Sequence, residues 1–272
     1  MTRGARWFPW IVLGLAELYL AAGLIPPRIP EGTMRLDALG RLPVVDRGRL
    51  KPVDTLARAS LMSISGRQTF TGADGKSGTA VRWLLDLMTD RLRSESVAAK
   101  HRVFRIESDQ VLAALDLKER PGLRYALEEF EGKIGKIQAE ARRASAVPSG
   151  ARDLFDRKIL ELWEKLQVYR SFRDLEAPRI VPPVSGRTDW LSFLDAFHAV
   201  QEGGGENPSA LGLGRILAAY AEGRTDDFNR ELAQYGMSLE QSFPAGIRHA
   251  RHEELFNRFE PFYRGLTLYL IA

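Results

Sequence analysis

Apolar residues gather at the two ends of this chain and recur at helical spacing between them. One cluster runs from Trp7 to Ile25 and the other from Phe262 to Ala272. At about 1.5 Å of rise per residue, the first makes roughly 28 Å of helix, close to a hydrocarbon core of about 30 Å. It predicts a transmembrane anchor over 7–25. The second run gives about 16 Å, half a bilayer, and reads as the start of a second membrane segment over 262–272. In the middle, Leu123, Leu127, Phe130, Ile134, Ile137 and Ala141 keep heptad spacing. Phe155, Ile159, Leu162, Leu166 and Tyr169 resume it after a break at Val147-Pro148-Ser149-Gly150. Two such helices joined by a short Pro/Gly loop are expected to pack antiparallel as an αα-hairpin.

Shorter signals fill in the rest. Residues 41–51 predict a small hairpin, with Asp46-Arg47-Gly48 as turn and Val44, Val45 and Leu50 as flanks. Pro52 starts a helix to about Ser63, and another follows from Thr79 after a turn-rich stretch over 69–78. Val103 to Ile106 alternates like a brief strand, and Ser108 caps a short helix. Pro178 to Pro183 reads as an extended linker. Beyond it, Thr188, Asn207-Pro208 and Thr225 mark helix starts, and Ser238 to Gln241 has capping-box spacing.

The expected fold class is mainly α: an N-terminal transmembrane helix and a helical extracytoplasmic body with a long αα-hairpin and minor β. The expected divisions are the anchor at 7–25, a body at 31–177, a C-terminal helical subdomain at 184–260 and the second membrane segment at 262–272.

Composition narrows the chemistry. The hydrophobic share of 44% is ordinary for a globular chain and too low for a multi-span carrier. Net charge is +4 from 39 basic and 35 acidic residues, interspersed without the clustered basic and aromatic stretches of a nucleic-acid binder. With no cysteine, disulfides, thiolate ligands and thiol nucleophiles are excluded.

The basic start, Met1 to Arg6, is shared by anchors and cleaved signals, and Ala21-Ala22-Gly23 offers a small-residue cleavage pattern. The apolar run exceeds the roughly 7–15 residues of a signal core, which favours a retained anchor. Pro26, Pro27 and Pro30 then end the helix. Arg3 and Arg6 before the span nearly balance Arg28, Arg35 and Arg41 after it, and the basic start places the body outside the cytoplasm. Glu17, mid-span, is either a contact to another membrane helix or a single tolerated charge.

Candidate chemical motifs are sparse. His249 and His252 share one helix face but lack a third ligand, and neither haem nor zinc is expected to bind the body tightly. Gly203-Gly204-Gly205 lacks the Lys-Ser/Thr of a phosphate loop, and no serine sits in a nucleophile elbow. The chain is expected not to be an enzyme.

Three stretches nevertheless carry a resemblance. Leu42 to Phe70, with Val45 through Arg58 as its core phrase, resembles the extracytoplasmic opening of system II (Ccs/Res-type) cytochrome c biogenesis membrane proteins. Ile216 to Tyr235 and Glu254 to Ile271 resemble the stretch before that family's next membrane helix. The family's Trp-rich haem loop and membrane histidines are absent from this sequence. The resemblance implies an accessory component of the cell (inner) membrane that supports haem delivery or apocytochrome maturation. It also implies a multi-span haem-handling subunit as partner, with haem held by that partner. Arg49, Lys51, Asp54, Thr55 and Arg58 are the signature positions and, with Glu17, the candidate partner-binding residues. The alternative is a membrane-tethered helical scaffold or peptide-binding module unrelated to haem.

Overall fold

The computed structural model describes residues 3–25, 30–72, 74–183, 189–202 and 207–271. The expected exit at Pro26-Pro27, the start at Thr188 and the triple-glycine turn lie outside them.

The chain is mainly helical. Helix α1 spans Arg3–Leu24 and short α2 spans Leu36–Gly40. Strands β1 (Pro43–Asp46) and β2 (Arg49–Pro52) then pair antiparallel, Val44 opposite Lys51 and Asp46 opposite Arg49. Arg47 and Gly48 close this hairpin, both at positive φ. Pro52, fixed in an extended conformation, leads into α3 (Val53–Ser65), which ends on left-handed Gly66. The stretch read as turn-rich is a second hairpin, β3 (Thr69–Thr71) with β4 (Ser77–Thr79). Three-residue strands are too short to leave an alternation in the sequence. The Thr79 hydroxyl caps α4 (Ala80–Met88) by accepting from the Arg82 backbone N–H.

The middle corrects the heptad reading. Strand β5 (Arg102–Arg105) precedes α5 (Asp109–Ala114), capped as expected by Ser108, and pairs with β6 (Arg124–Ala126). The first half of the supposed seam is therefore strand and turn: Leu123 takes φ 53° and Leu127 lies in a 3₁₀ turn. Backbone pairing with β5 outweighs the helical period there. The long helix α6 starts only at Ile134 and ends at Ala146, then packs on α7 (Leu154–Arg173), capped by Asp153. The αα-hairpin forms, one turn-rich segment shorter than expected.

Beyond it come α8 (Phe193–Gln201), α9 (Pro208–Ala221), α10 (Thr225–Ser242), α11 (Pro244–Phe259) and α12 (Pro261–Ile271). Asn207 caps α9 with proline at its first position, as read. Thr225 is the first residue of α10 rather than its cap, and the capping-box spacing at 238–241 lies inside that helix. The strip at 178–183 is woven into the core. Arg179 bridges to Val45, Val181 bridges to Leu191, and Ile180 and Val181 are buried.

One hydrophobic cluster collects residues from both sides of that strip, including Trp83, Leu84, Phe104, Leu166 and Tyr169 with Leu213, Ile216 and Phe228. Phe104 stands at its centre, edge-on to Phe130 at 5.3 Å and tilted on Tyr169 at 5.2 Å.

The terminal apolar runs are helical yet uncovered. Among the described residues no helix is long and apolar enough to cross a membrane. The segment expected to span is helical, as α1, but it does not reach the apolar content of a spanning helix, with Gly14, Glu17, Tyr19 and Gly23 among its residues. Trp7, Trp10, Leu15 and Leu18 point away from the body, as do Phe262 and Tyr269 on α12.

Buried phenols give the fold a predictable alkaline limit. Burial raises the pKa of Tyr169, Tyr220 and Tyr235 above the usual 10.0, aided at Tyr169 by the charge of Asp90 and at Tyr220 by Asp86. The folded chain keeps these protons at a pH where the unfolded chain has released them. Stability is therefore fully present below pH 10.0 and declines as pH rises toward the folded-state values. The melting temperature should fall between about pH 9 and pH 11, with tyrosinate absorbance lagging in the folded state. A flat profile with early tyrosinate formation would contradict it.

Candidate functional site

Four of the five signature side chains lie on β2 and the first turns of α3, and the fifth, Arg58, one turn further along. Asp54 and Arg58 stand one turn apart and ion-pair at 2.7 Å, while Lys51 reaches back across the hairpin to Asp46 at 2.7 Å. Arg58 also donates to Gln68 at 3.2 Å. These pairs hold α3 against its own neighbourhood.

Thr55 and Arg49 look outward to α11. The Thr55 hydroxyl donates to Glu253 Oε1 at 2.9 Å and accepts from Asn257 Nδ2 at 2.7 Å. The other oxygen of Glu253 faces Arg49 at 3.4 Å and His249 at 3.7 Å. Next to it, Glu254 pairs with Arg41 at 3.4 Å and with Arg258 at 3.7 Å. Close approach is possible because residue 246 is glycine: a Cβ there would stand 2.8 Å from Leu50 Cδ2. Two stretches about 200 positions apart in sequence are thus joined through largely buried acids, and α11 leads directly into α12.

Arg264 ties α12 back to α1. Its Nε donates to the Phe259 carbonyl at 2.7 Å, and Nη1 to the Tyr19 carbonyl at 3.3 Å. The guanidinium also lies 5.2 Å from the Tyr19 ring centroid. Gly23 makes room, since a Cβ there would meet Arg264 Cζ at 2.4 Å. Arg264 thus links the start of α12 to the end of α1, while α1 packs mainly on α11. Glu17, by contrast, stays exposed on α1 and has no ion-pair partner among the described residues.

Two grooves flank α3. One, about 690 Å³, lies between the β1–β2 hairpin, α3 and the end of α7, and includes Arg49 and Lys51. The other, about 560 Å³, runs between α3 and the α11–α12 junction and includes Thr55, Arg58, Phe256 and Phe262.

Sequence reading missed the most buried polar cluster. Asp86, on α4, takes the His101 Nε2 at 2.9 Å on one oxygen and the Tyr220 hydroxyl at 2.8 Å on the other. His101, Asp86 and Tyr220 are all buried, and neither groove beside α3 is lined by them. No motif could announce three residues so distant in sequence. The cluster ties α4, the segment before β5 and α9 together inside the core. His249 and His252 are exposed on α11. Among the described residues no group of three or more His, Cys, Asp or Glu could hold a metal ion. No protein-family model matches the chain, and no curated protein matches it.

Thr55→Val keeps the shape of the side chain and removes its hydroxyl from between Glu253 and Asn257. The expected loss is about 1–3 kcal/mol, since both partners keep their polar groups without this contact. Urea unfolding measures it, and Thr55→Ser should restore most of the loss. Equal stability of Val and wild type would show that the joint contributes nothing.

Proposed function

We propose that this chain is a non-catalytic, membrane-anchored component of c-type cytochrome biogenesis. Its body lies on the extracytoplasmic side of the cell membrane, and it supports haem delivery or apocytochrome maturation by a multi-span haem-handling partner. Haem is held by the partner. The observation that carries the reading is the Thr55–Glu253–Asn257 joint. It sets Thr55, within the Val45–Arg58 phrase, against Asn257 of the Glu254–Ile271 stretch and its neighbour Glu253, so that two of the three resembling stretches meet.

The uncovered apolar faces of α1 and α12, linked through Arg264, support the membrane part of the reading. Uncovered side chains such as Trp7, Trp10, Phe262 and Tyr269 are costly in water and suit lipid or the aromatic belt at its surface. Glu17 is the exception on α1, and in a bilayer a carboxylate calls for a protein partner. That need, together with the dilution of α1 by glycines, fits a helix that enters the membrane alongside another subunit.

Carbonate washing should leave the full chain in the membrane pellet; release into the supernatant without proteolytic processing would count against anchoring. In native membranes the chain should co-purify with a Trp-rich multi-span subunit. Glu17→Leu should lower that recovery several-fold while leaving the melting temperature of the body unchanged. Recovery of a lone, monodisperse chain would sink the cytochrome reading and leave a tethered scaffold.

A further inference from the structure

The groove between the β1–β2 hairpin and α7 carries charge that the fold does not use. Four basic residues line it, Arg47, Arg49, Lys51 and Arg179, against two acids, Asp46 and Glu176. Lys51 is matched by Asp46 and Arg49 is shared with Glu253. Among the described residues Arg47 and Arg179 enter no ion pair, and neither does Glu176. The rest of the lining mixes apolar Leu56, Ala59, Val168, Phe172 and Pro178 with the hydroxyls of Ser60, Ser63 and Ser171.

The two free guanidinium groups spring from one place. Arg179 is bridged to Val45, whose N–H donates to its carbonyl at 2.9 Å, and Arg47 lies two residues beyond Val45. Arg47 sits at the hairpin turn and Arg179 beside β1, and both line the same groove. Arg47 is also an unfavourable choice for its position. With Arg47 at φ 51° and Gly48 at φ 75°, the turn has left-handed conformations at both central residues. Such turns favour Asn, Asp or Gly at the first of them. A long basic side chain held there against local preference is what a ligand-facing residue looks like.

We propose that this groove binds a small organic dicarboxylate with an apolar body. Arg47 and Arg179 each take one carboxylate, and the body lies over Leu56 and Phe172. Guanidinium groups match carboxylates in planar geometry, and the volume of about 690 Å³ is that of an ordinary small-molecule site. The site stands apart from the membrane reading, since none of its residues belongs to α1 or α12.

The test uses the full chain in lipid nanodiscs and naphthalene-2,6-dicarboxylate as probe, read by saturation-transfer NMR against empty nanodiscs. Saturable binding is expected, with the neutral diamide failing to compete. Arg179→Ala and Arg47→Gly should each weaken binding at least fivefold. Arg47→Gly relieves the turn, so its melting temperature should equal or exceed that of the wild type, which separates lost binding from lost folding. Absence of saturable binding, equal binding of the diamide, or affinities unchanged in both variants would overturn the proposal.

Discussion

The carboxylate of Asp86 is the constraint on which the packing of this protein turns. A buried acid is tolerated only when its oxygens are hydrogen-bonded. Here one oxygen takes His101, from the segment entering β5, and the other takes Tyr220, from α9. Arg82 and Arg93 stand further out at 3.8 Å and add positive charge on the solvent side. Hydrophobic burial alone would allow α9 to slide on α4. The Tyr220 bond gives α9 a directional tie to α4, and His101 holds the same carboxylate from another segment. The cation of Arg93 over the Tyr220 ring, 5.3 Å from its centroid, closes the cluster at its edge.

Beyond that tie, α10 delivers α11 to the β1–β2 hairpin, and the second polar joint becomes possible. It differs in kind from the first. Glu253 and Glu254, largely buried, are answered by the more exposed Arg49, Arg41 and Arg258 at 3.4–3.7 Å, distances of adjustable contact. Such pairs contribute little to stability. Thr55, with two short bonds, is the rigid element among them.

Much of the architecture was legible from local chemistry. Helix starts at Pro52, Thr79, Ser108 and Asn207-Pro208, and the hairpin around Asp46-Arg47-Gly48, follow from capping and turn preferences that act within a few residues. The αα-hairpin was legible where α7 presents Ile159, Leu162, Leu166 and Tyr169 on one face. The same spacing misled at Leu123 to Phe130, because a period of 3.5 says which residues are apolar and not which backbone bonds they make. Of the signature residues, the sequence indicated the set but not its partners; nothing near Thr55 in the chain points to Glu253 or Asn257.

The sequence by itself determined that the chain is mainly helical, that its apolar ends differ from a charged body, and that thiol chemistry is excluded. Each of these depends on composition or on neighbours along the chain. Tertiary structure alone decided that Arg264 ties α12 to α1, that Asp86 gathers His101 and Tyr220, and that the strip at 178–183 is core rather than linker. Only folding brings such distant groups within hydrogen-bond range, and burial then sets what each contact is worth.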